Sequence, residues 1–376
     1  MKRLAALLLV CAFTAPPPAA AGPVSPRIRV AIARNSPSLK LKTASQIYVQ
    51  EMRTGQKFML VQNASYEVRP RSGGIAVAGQ ELSSPVKLLA SAGPERIRLG
   101  KHLYKGDIIL HANQDGRLDI IEDLSLEDYL YGVLPAEMSP DWPLEALKAQ
   151  AVASRTYAMR FINPAKPYDV TNGVETQVYN GTSRINPRII EAVNSTRGEV
   201  LKYKGSLVRA YFHAACGGHT ASSKAAWGEA VTKPLYGVAD PFCKPSRHSR
   251  WQYFLSTKEL LRFVQAQSST ALKVAGLKIH QKDRSGRALT LRVSTDRGYK
   301  TVRASEMRKR FGTFEFRSTF ITSIRAVSGG YQISGRGWGH GVGMCQEGAK
   351  YMAYKKRSYK RILRHYYPGA SITQHD

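Results

Sequence analysis

The sequence predicts an α+β protein made mainly of antiparallel sheets, with a few helices. Three observations favour this fold class. Apolar and polar residues alternate in the manner of strands over residues 27 to about 121, with turn residues between the runs. Apolar residues at helical spacing follow from Leu144, and strand-like segments return at "GEVLKYKG" and "LVRAYFHAACGG". Strands that come in runs, separate from the helices, are typical of antiparallel sheets.

Two helices are predicted after the N-terminal strands. Ser125 begins a capping-box pattern that opens a short helix through Tyr131. Pro143 suits the first turn of a second helix, which its apolar spacing continues to about Phe161. This leaves "LPAEMSPDW", with Glu137 near its centre, as a loop between two helices.

The C-terminal half is predicted to hold an isolated helix, a β-meander and final helices. The segment "TKELLRFVQAQ" has the spacing of a helix. Residues 276 to 303 alternate as a meander, with turns at "DRSGR" and "TDRG". A helix over residues 344 to 354 and the segment "YKRILRHYYPGA" complete the chain.

The stretch "GRGWGHGVG", residues 335 to 343, has a glycine at every second position. If it is extended, the glycines line one face, and the other face carries Arg336, Trp338, His340 and Val342. Alternating glycines permit close approach of another part of the molecule or of a ligand. We expect a glycine-rich strand that either lets a ligand or the Glu137 helix approach closely or only allows tight sheet packing.

The N-terminus indicates export. The 376-residue chain is long enough for two or three globular units. Basic Lys2 and Arg3, an apolar run over residues 4–13 and alanines at 19–21 resemble a secretory signal peptide. The run is shorter than the ~20 residues of a membrane span. Cys11 lies inside it with Val10 before it, which argues against lipid modification. We expect an exported protein, located in the periplasm, the cell wall or outside the cell.

The composition is strongly basic. There are 56 Lys and Arg residues against 27 Asp and Glu, a formal net charge of +29. Such a charge favours an anionic partner. Nucleic acid is the usual partner of a basic chain, but export argues against it. We therefore expect an anionic envelope surface as the partner. The alternative is that the charge serves only solubility.

Three cysteines remain after the signal segment, and two arrangements are open. His213, Cys216 and His219 are spaced by three, with Cys243 downstream, and two Cys with two His can form a tetrahedral zinc site. A Cys216–Cys243 disulfide with incidental histidines is the alternative, which an oxidising compartment favours. The spacing matches no standard zinc-finger pattern, so it does not decide between them.

Glu137 is the strongest candidate for acid–base chemistry. Its neighbours in sequence are apolar, and if they crowd the carboxyl they raise its pKa, as in a general acid. A solvated glutamate is the alternative. Gln150 and Arg155 follow on the second helix, where Arg155 can hold a sugar hydroxyl or a carboxylate. The nucleophile-elbow motif G-x-S-x-G and the metalloprotease motif H-E-x-x-H are absent from the sequence.

Five segments spread over about residues 110 to 372 carry a family resemblance. They are "SLEDYLYGVLPAEMSPDWPLEALKAQAVASRTYA", "TQVYNGTS", "AYFHAACGGHTASSKAAWG", "GRGWGHGVGMCQEGAKYMA" and "ILRHYYPGASI". In this order they resemble the stage II sporulation protein D (SpoIID) and amidase-enhancer family. Five motifs in register are far more specific than any single one.

The resemblance implies a lytic transglycosylase of peptidoglycan. Such enzymes cut glycan between N-acetylmuramic acid and N-acetylglucosamine, preferably on strands without stem peptides. The catalytic acid of the family is the Glu of the "EM" pair, which is Glu137 here. Trp338 would then stack on a sugar ring, and His340 would hydrogen-bond hydroxyls. The candidate substrate-binding residues are Gln150, Arg155, Trp338, His340 and Gln346.

The resemblance also bears on metal and on domain organisation. Some relatives bind zinc near the cleft, which implies zinc with a structural role at the His/Cys set, whereas Cys345 stands where many members have Ser. The predicted segments are a signal peptide at 1–21, an N-terminal β-rich region at 22–110, a SpoIID-like catalytic core at 111–245, a β-meander lobe at 246–334, and a glycine-rich strand with C-terminal helices at 335–376 that completes the core.

The residues and the resemblance are compatible with three functions. The first is an enzyme that cleaves peptidoglycan glycan strands through Glu137. The second is a non-catalytic wall-binding protein that activates a cell-wall amidase. The third is a zinc amidase that uses His213, Cys216, His219 and Cys243. Glu137 in its full motif favours the first. No feature points to sporulation itself, and division or wall turnover fits equally well.

Overall fold

The structure is a computed structural model that describes residues 25–43, 46–90, 97–173, 175–182, 185–267 and 270–375. The predicted signal peptide lies outside the described residues. Those that are described form 24 strands and eight α-helices, with mostly antiparallel pairing, which confirms the predicted α+β class. No helix within these ranges is both long and apolar enough to cross a membrane.

Twelve strands precede the first helix. They are β1 (Arg27–Ser36), β2 (Leu39–Lys42), β3 (Ile47–Glu51), β4 (Lys57–Leu60), β5 (Ser65–Arg71), β6 (Gly74–Val77), β7 (Gln80–Ser83), β8 (Val86–Ala90), β9 (Ile97–Leu99), β10 (His102–Tyr104), β11 (Asp107–Ala112) and β12 (Leu118–Ser125).

Helices and shorter strands make up the rest of the described chain. The helices are α1 (Leu126–Glu137), α2 (Leu144–Met159), α3 (Pro187–Asn194), α4 (Ser223–Trp227), α5 (Thr257–Gln265), α6 (Ala304–Arg310), α7 (Gln346–Tyr354) and α8 (Tyr359–Tyr366). The strands are β13 (Val170–Thr171), β14 (Glu199–Tyr203), β15 (Ser206–Leu207), β16 (Phe212–His213), β17 (Trp251–Ser256), β18 (Val274–Lys282), β19 (Ala288–Thr295), β20 (Gly298–Arg303), β21 (Ile321–Val327), β22 (Gly330–Gly335), β23 (Met344–Cys345) and β24 (Ser371–Gln374). Two short 3-10 turns cover Lys233–Leu235 and Pro241–Cys243.

The N-terminal sheet leads directly into the first helix. Its seven strands run in the order β13-β1-β12-β11-β8-β3-β4. β1 and β12 pair antiparallel with Arg27 opposite Ser125, so the end of β12 passes into α1 at the sheet edge. The N–H of Leu126 donates to the carbonyl of Pro26 at 2.7 Å. Oγ of Ser125 accepts from the N–H of Asp128 at 3.1 Å, which is the predicted N-cap.

Two buried hydrophobic clusters hold the chain together. The larger one joins the N-terminal sheet to α1, α2, α3, α7 and α8. α2 lies at its centre and packs against the other four helices, and its buried alanines let them approach closely. The second cluster lies within residues 251–333 and is built from α5, α6 and the sheets β17-β22-β21 and β18-β19-β20.

Most predicted elements are present with small shifts at their ends. α2 ends two residues before Phe161, and α5 begins after Ser256 with a complete capping box. The predicted meander is the sheet β18-β19-β20. α7 begins at Gln346 rather than residue 344, because Met344 and Cys345 form β23, which pairs parallel with β16.

Candidate active site

Glu137 is the last residue of α1, so the prediction that it lies in a loop between two helices is wrong. The helix continues past Tyr131 and through Pro135, and the N–H of Met138 donates to the carbonyl of Leu134 at 2.9 Å. Proline lacks an N–H and its ring crowds the carbonyl of residue i−4, so Pro135 costs the last turn one hydrogen bond, yet the helix continues to Glu137. The carboxyl is therefore carried by the end of a helix, and a helix is a more rigid support than a loop.

The side chain of Glu137 is half-buried and accepts two hydrogen bonds. Nε2 of Gln346 donates to Oε2 of Glu137 at 3.3 Å, and the backbone N–H of Val178 also donates to the carboxylate. Burial raises the pKa of Glu137 above its ordinary value, and the two hydrogen bonds offset only part of that rise. The carboxyl therefore keeps its proton to a higher pH than a solvated glutamate.

Glu137 lines a groove with a volume of about 750 Å³. Rings dominate the walls: Trp142, Tyr157, Tyr211, Phe212, His213, Trp227, His248, Phe314, Trp338 and His340. The polar side chains of the groove are Ser139, Glu175, Thr176, Gln177, Arg247, Gln346 and Glu347. A concave surface of mostly apolar rings with a few polar groups is typical of a ligand-binding site.

One wall of the groove is a chain of rings in contact. The ring centroids of Tyr157 and Tyr211 are 5.8 Å apart, and those of Tyr211 and Trp227 are 4.7 Å apart. Trp227 in turn lies 5.0 Å from the ring of His340. Rings at these separations support one another and offer apolar faces to a ligand. Trp227 is 39% exposed, so part of this surface is open to a ligand.

Trp338, a predicted site residue, lines the groove. It contacts residues that belong to the region of the second hydrophobic cluster. Its indole N–H donates to the carbonyl of Thr313 at 3.1 Å. The ring lies 4.9 Å from that of His248, and the guanidinium of Arg317 lies 5.1 Å from its centroid. These contacts fix the orientation of the indole before any ligand binds.

Two histidines on the groove are neutral bases. Burial, with a smaller effect from Arg308, lowers the pKa of His340 to about 4, and its Nδ1 accepts from the N–H of Val342 at 3.1 Å. Burial also lowers the pKa of His213 well below its usual range. Nδ1 of His213 lies 3.1 Å from the carbonyl of Val342 and therefore carries the proton. Its Nε2 has no hydrogen-bond partner among the described residues, and it remains an acceptor.

The predicted glycine-rich strand over residues 335–343 is not a strand. β22 ends at Gly335, and the next four glycines have φ angles from 72° to 111°, which β-strands do not adopt. The glycines approach other parts of the same chain rather than the helix of Glu137. A Cβ at Gly343 would collide with the carbonyl oxygen of Tyr211, and one at Gly337 would collide with that of Ala215. This fit seats the segment against residues 211–221.

Arg155 and Gln150, both predicted to bind substrate, are not among the residues that line the groove. Arg155 is 1% exposed, and its Nε and Nη2 donate to the carboxylate of Glu127 at 2.9 and 2.7 Å. This guanidinium is a structural ion pair, because it has no open face for a sugar. Gln150 is fully buried, and its Oε1 accepts from Nε2 of Gln346 at 3.4 Å. It supports Gln346, which does line the groove as predicted.

The predicted metal set is not assembled. His213 is on the groove wall, and Nδ1 of His219 is 2.7 Å from a backbone carbonyl. The side chains that do meet, with one ligand atom of each within 4.8 Å of the others, are Cys216, Asp240, Cys243 and Cys345. The three cysteines of the described part of the chain are free, and no disulfide joins Cys216 to Cys243. Spacing misleads here because the chain turns sharply at Gly217 and Gly218, where φ is 78° and 116°.

Several residues that line the groove were not predicted as site residues from the sequence. Tyr211, Phe212 and Trp227 lie within the quoted motif "AYFHAACGGHTASSKAAWG", so the motif itself was the signal. His248 and Phe314 lie outside all five motifs, and no sequence pattern indicated them. Their side chains reach the groove because the region of the second hydrophobic cluster packs against the glycine segment.

Two family models match the chain. The model described as "Stage II sporulation protein" (SpoIID) matches residues 114–203, which include Glu137. A model described as a domain of unknown function, DUF8618, matches residues 238–343. The second match covers the second hydrophobic cluster and the whole of the glycine stretch, residues 335–343.

Proteins with similar sequences extend these matches. An uncharacterized protein of Brachyspira hyodysenteriae is 40% identical over 280 residues, which are 73% of each chain. The amidase enhancer of Bacillus subtilis is 32% identical over 294 residues, 65% of this chain and 40% of the enhancer. Stage II sporulation protein D of Bacillus amyloliquefaciens is 30% identical over 279 residues, 68% of this chain and 76% of that protein. The chain therefore belongs to the family of stage II sporulation protein D and the amidase enhancer, as its motifs predict.

Proposed function

We propose that this protein is exported and acts on the cell wall as a lytic transglycosylase, cleaving peptidoglycan glycan strands and leaving 1,6-anhydro-muramoyl ends. The observation that carries the proposal is Glu137, a carboxyl with a raised pKa on a groove walled by aromatic rings. The names of the relatives, a stage II sporulation protein D and an amidase enhancer, support a role at the wall. Strands stripped of stem peptides are the proposed substrate.

One carboxyl is enough for this reaction. Ordinary glycosidases need a second carboxylate to activate water or to attack the sugar. In a lytic transglycosylation the C6 hydroxyl of the substrate attacks its own anomeric carbon. Glu137 first gives its proton to the leaving glycosidic oxygen and then accepts the proton of that hydroxyl as the ring closes. The raised pKa of Glu137 suits the first step, because a larger fraction of the carboxyl is protonated near neutral pH.

The neighbours of Glu137 suit an oxocarbenium-like transition state. Both amide protons of Gln346 are used, one toward Glu137 and one toward Gln150, so its carbonyl oxygen is left to accept from a sugar hydroxyl. Because His213 and His340 stay neutral, neither places a positive charge beside a developing cation. The ring wall supplies apolar faces for the sugars.

Digestion of peptide-free glycan strands tests the proposal, with the products identified by mass spectrometry. We expect anhydro-muramoyl ends from the wild type and none from Glu137→Gln, which keeps the shape but cannot donate the proton. Glu191→Gln, a change of the same kind on the exposed face of α3, is the matched control and keeps the activity. Ordinary reducing ends in place of anhydro ends would show hydrolysis and would refute the transglycosylase.

The similarity to an amidase enhancer favours a second function, the activation of a cell-wall amidase without glycan cleavage. In that case folded wild-type protein leaves glycan intact, and the wild type and Glu137→Gln stimulate a partner amidase equally. The zinc-amidase alternative has no comparable support. Its two predicted histidines lie outside the cluster that contains Cys216 and Cys243, and the four side chains of that cluster are not among the residues lining the groove.

A further inference from the structure

We propose that Cys216, Asp240, Cys243 and Cys345 form a closed, structural zinc site that holds one wall of the groove in place. The site is separate from the acid–base chemistry proposed for Glu137, and its test does not depend on that activity. No step of glycan cleavage uses these four side chains.

The donor set fits tetrahedral zinc in number and in chemistry. Three thiolates and one carboxylate are donors of the kind that structural zinc sites use. With metal–ligand distances of about 2.0–2.3 Å, the donors of a tetrahedral site are about 3.5 Å apart. The four donor atoms here lie within 4.8 Å of one another, so a small inward movement of side chains would complete the coordination.

Backbone N–H groups point at all three sulfurs. Sγ of Cys345 accepts from the N–H of Cys216 at 3.2 Å and from that of Gly348 at 3.3 Å. Sγ of Cys243 accepts from the N–H of Gly217 at 3.4 Å. Sγ of Cys216 accepts from the N–H of Gly218 at 3.3 Å. Such donors stabilise thiolates, the form in which cysteine binds a metal.

The carboxylate of Asp240 is oriented by further hydrogen bonds. The hydroxyl of Tyr366 donates to its Oδ2 at 2.9 Å, and the N–H of Phe242 donates to its Oδ1 at 3.1 Å. A carboxylate that binds a metal is usually held in this way by outer partners. Gly348 allows this approach, because a Cβ there would collide with Asp240 Oδ2 and the Tyr366 hydroxyl.

The burial of the cluster gives a second reason for a cation. Four groups that can ionise lie together, and the relative exposure of Asp240, Cys216 and Cys345 is 0%. Sγ of Cys216 donates to Oδ2 of Asp240 at 3.1 Å, so this thiol would lose its proton on binding a metal, and the ionised groups would then be buried charges that need partners. The guanidinium of Arg287 is near, but it donates to the carbonyls of Cys216 and His219 at 2.5 and 2.8 Å rather than to a donor atom of the cluster. A divalent ion would balance half of the charge of three thiolates and one carboxylate.

The site would join segments that are distant in sequence. Cys216 follows β16, Cys243 ends a short 3-10 turn, and Cys345 is in β23. Cys345 immediately precedes Gln346, whose amide contacts Glu137. An ion bound here would therefore fix the segment that carries Gln346 against residues 216 and 240–243.

Metal analysis of the mature chain, purified without chelator, tests the site. We expect about one zinc per chain, and three titratable thiols after unfolding with a chelator. Cobalt put in place of zinc should give sulfur-to-cobalt charge-transfer absorption and the visible bands of a tetrahedral ion. Removal of zinc should lower the Tm. A metal-free chain that shows only one thiol would establish a disulfide and overturn the proposal, and so would three thiols that bind no zinc when it is supplied.

Variants assign the ligands. Asp240→Asn keeps the size of the side chain and should weaken zinc binding about tenfold or more in competition with a chelator. Cys345→Ser should do the same. His219→Asn is the matched control, since His219 belongs to the set predicted from spacing but lies outside the cluster, and it should hold zinc as the wild type does. Loss of zinc in His219→Asn with retention of zinc in Asp240→Asn would overturn the ligand assignment. If Cys345→Ser fails to fold, Asp240→Asn alone still tests whether the cluster binds zinc.

Discussion

Replacing Arg155 by methionine should destabilise the protein rather than weaken substrate binding. Arg155 and Glu127 are both nearly inaccessible, with exposures of 1% and 2%. Nε and Nη2 of Arg155 donate to the two carboxylate oxygens at 2.9 and 2.7 Å, and further N–H groups donate to the carbonyls of Glu199 and Val193. Methionine fills a similar volume but leaves the carboxylate of Glu127 buried without its cation.

The expected loss follows from that geometry. Hydrogen bonds to charged groups contribute about 1.5–3 kcal/mol each, and two of them join the pair. Breaking a buried pair on one side costs about 3–5 kcal/mol, because the remaining charge stays desolvated. We expect a loss in this range in the free energy of unfolding, and at about 2 °C per kcal/mol a Tm lower by about 6–10 °C.

Denaturant unfolding measures the loss, and two further variants interpret it. Glu127→Gln combined with Arg155→Met removes the unpaired charge and should recover a large part of the stability. Lys148 lies on the same helix and forms a partly exposed ion pair with Glu145 at 3.2 Å. Lys148→Met should therefore lower the free energy of unfolding by less than about 1 kcal/mol. The reasoning fails if Arg155→Met unfolds like the wild type and instead weakens binding of glycan.

Three further predictions follow from the site and the fold. Gln346→Ala removes a hydrogen bond that lowers the pKa of Glu137, so this pKa rises further and the alkaline limb of the pH–rate profile for glycan cleavage moves to higher pH; an unmoved limb would refute the contact. Burial raises the pKa of Glu122 from 4.5 to about 7, so its contribution to stability, about 3 kcal/mol, is complete below pH 4.5 and is lost as the pH rises through 7. Thermal unfolding across this range should show the decline in the wild type and not in Glu122→Gln. Gly343→Ala forces a φ of 72° on alanine and a collision with the carbonyl of Tyr211, so we expect a Tm lower by several degrees, and an unchanged Tm would contradict the packing of the glycine segment.

The elements with local signals were predictable from the sequence. α5 has a capping box and α2 has continuous helical spacing, and both occur within a few residues of their predicted bounds. The meander β18-β19-β20 has turns that its own residues specify. The end of α1 was missed because Pro135 indicates a break by its local chemistry, whereas tertiary packing carries the helix to Glu137.

The arrangement around Glu137 was not predictable in the same way. Gln346 reaches Glu137 across 209 positions of sequence, through the parallel pairing of β16 with β23. The glycine spacing was visible, but its φ angles depend on the segment it packs against. Arg155 shows the converse: its residue type suits substrate binding, yet the position of Glu127 determines that it is a structural cation.

The residues of the groove come from distant parts of the chain, and this determines which parts the proposed enzyme needs. The segment that matches the SpoIID model, residues 114–203, contains Glu137, Trp142 and Tyr157. The other residues of the groove come later in the chain, from residues 211–227, 247–248, 314 and 338–347. The pKa of Glu137 is raised because it is buried, and Gln346 from this later part contacts the carboxyl directly. A carboxyl on an isolated α1 would be solvated and would have an ordinary pKa, so the matched segment alone supplies the acid but not all of the surroundings that raise its pKa.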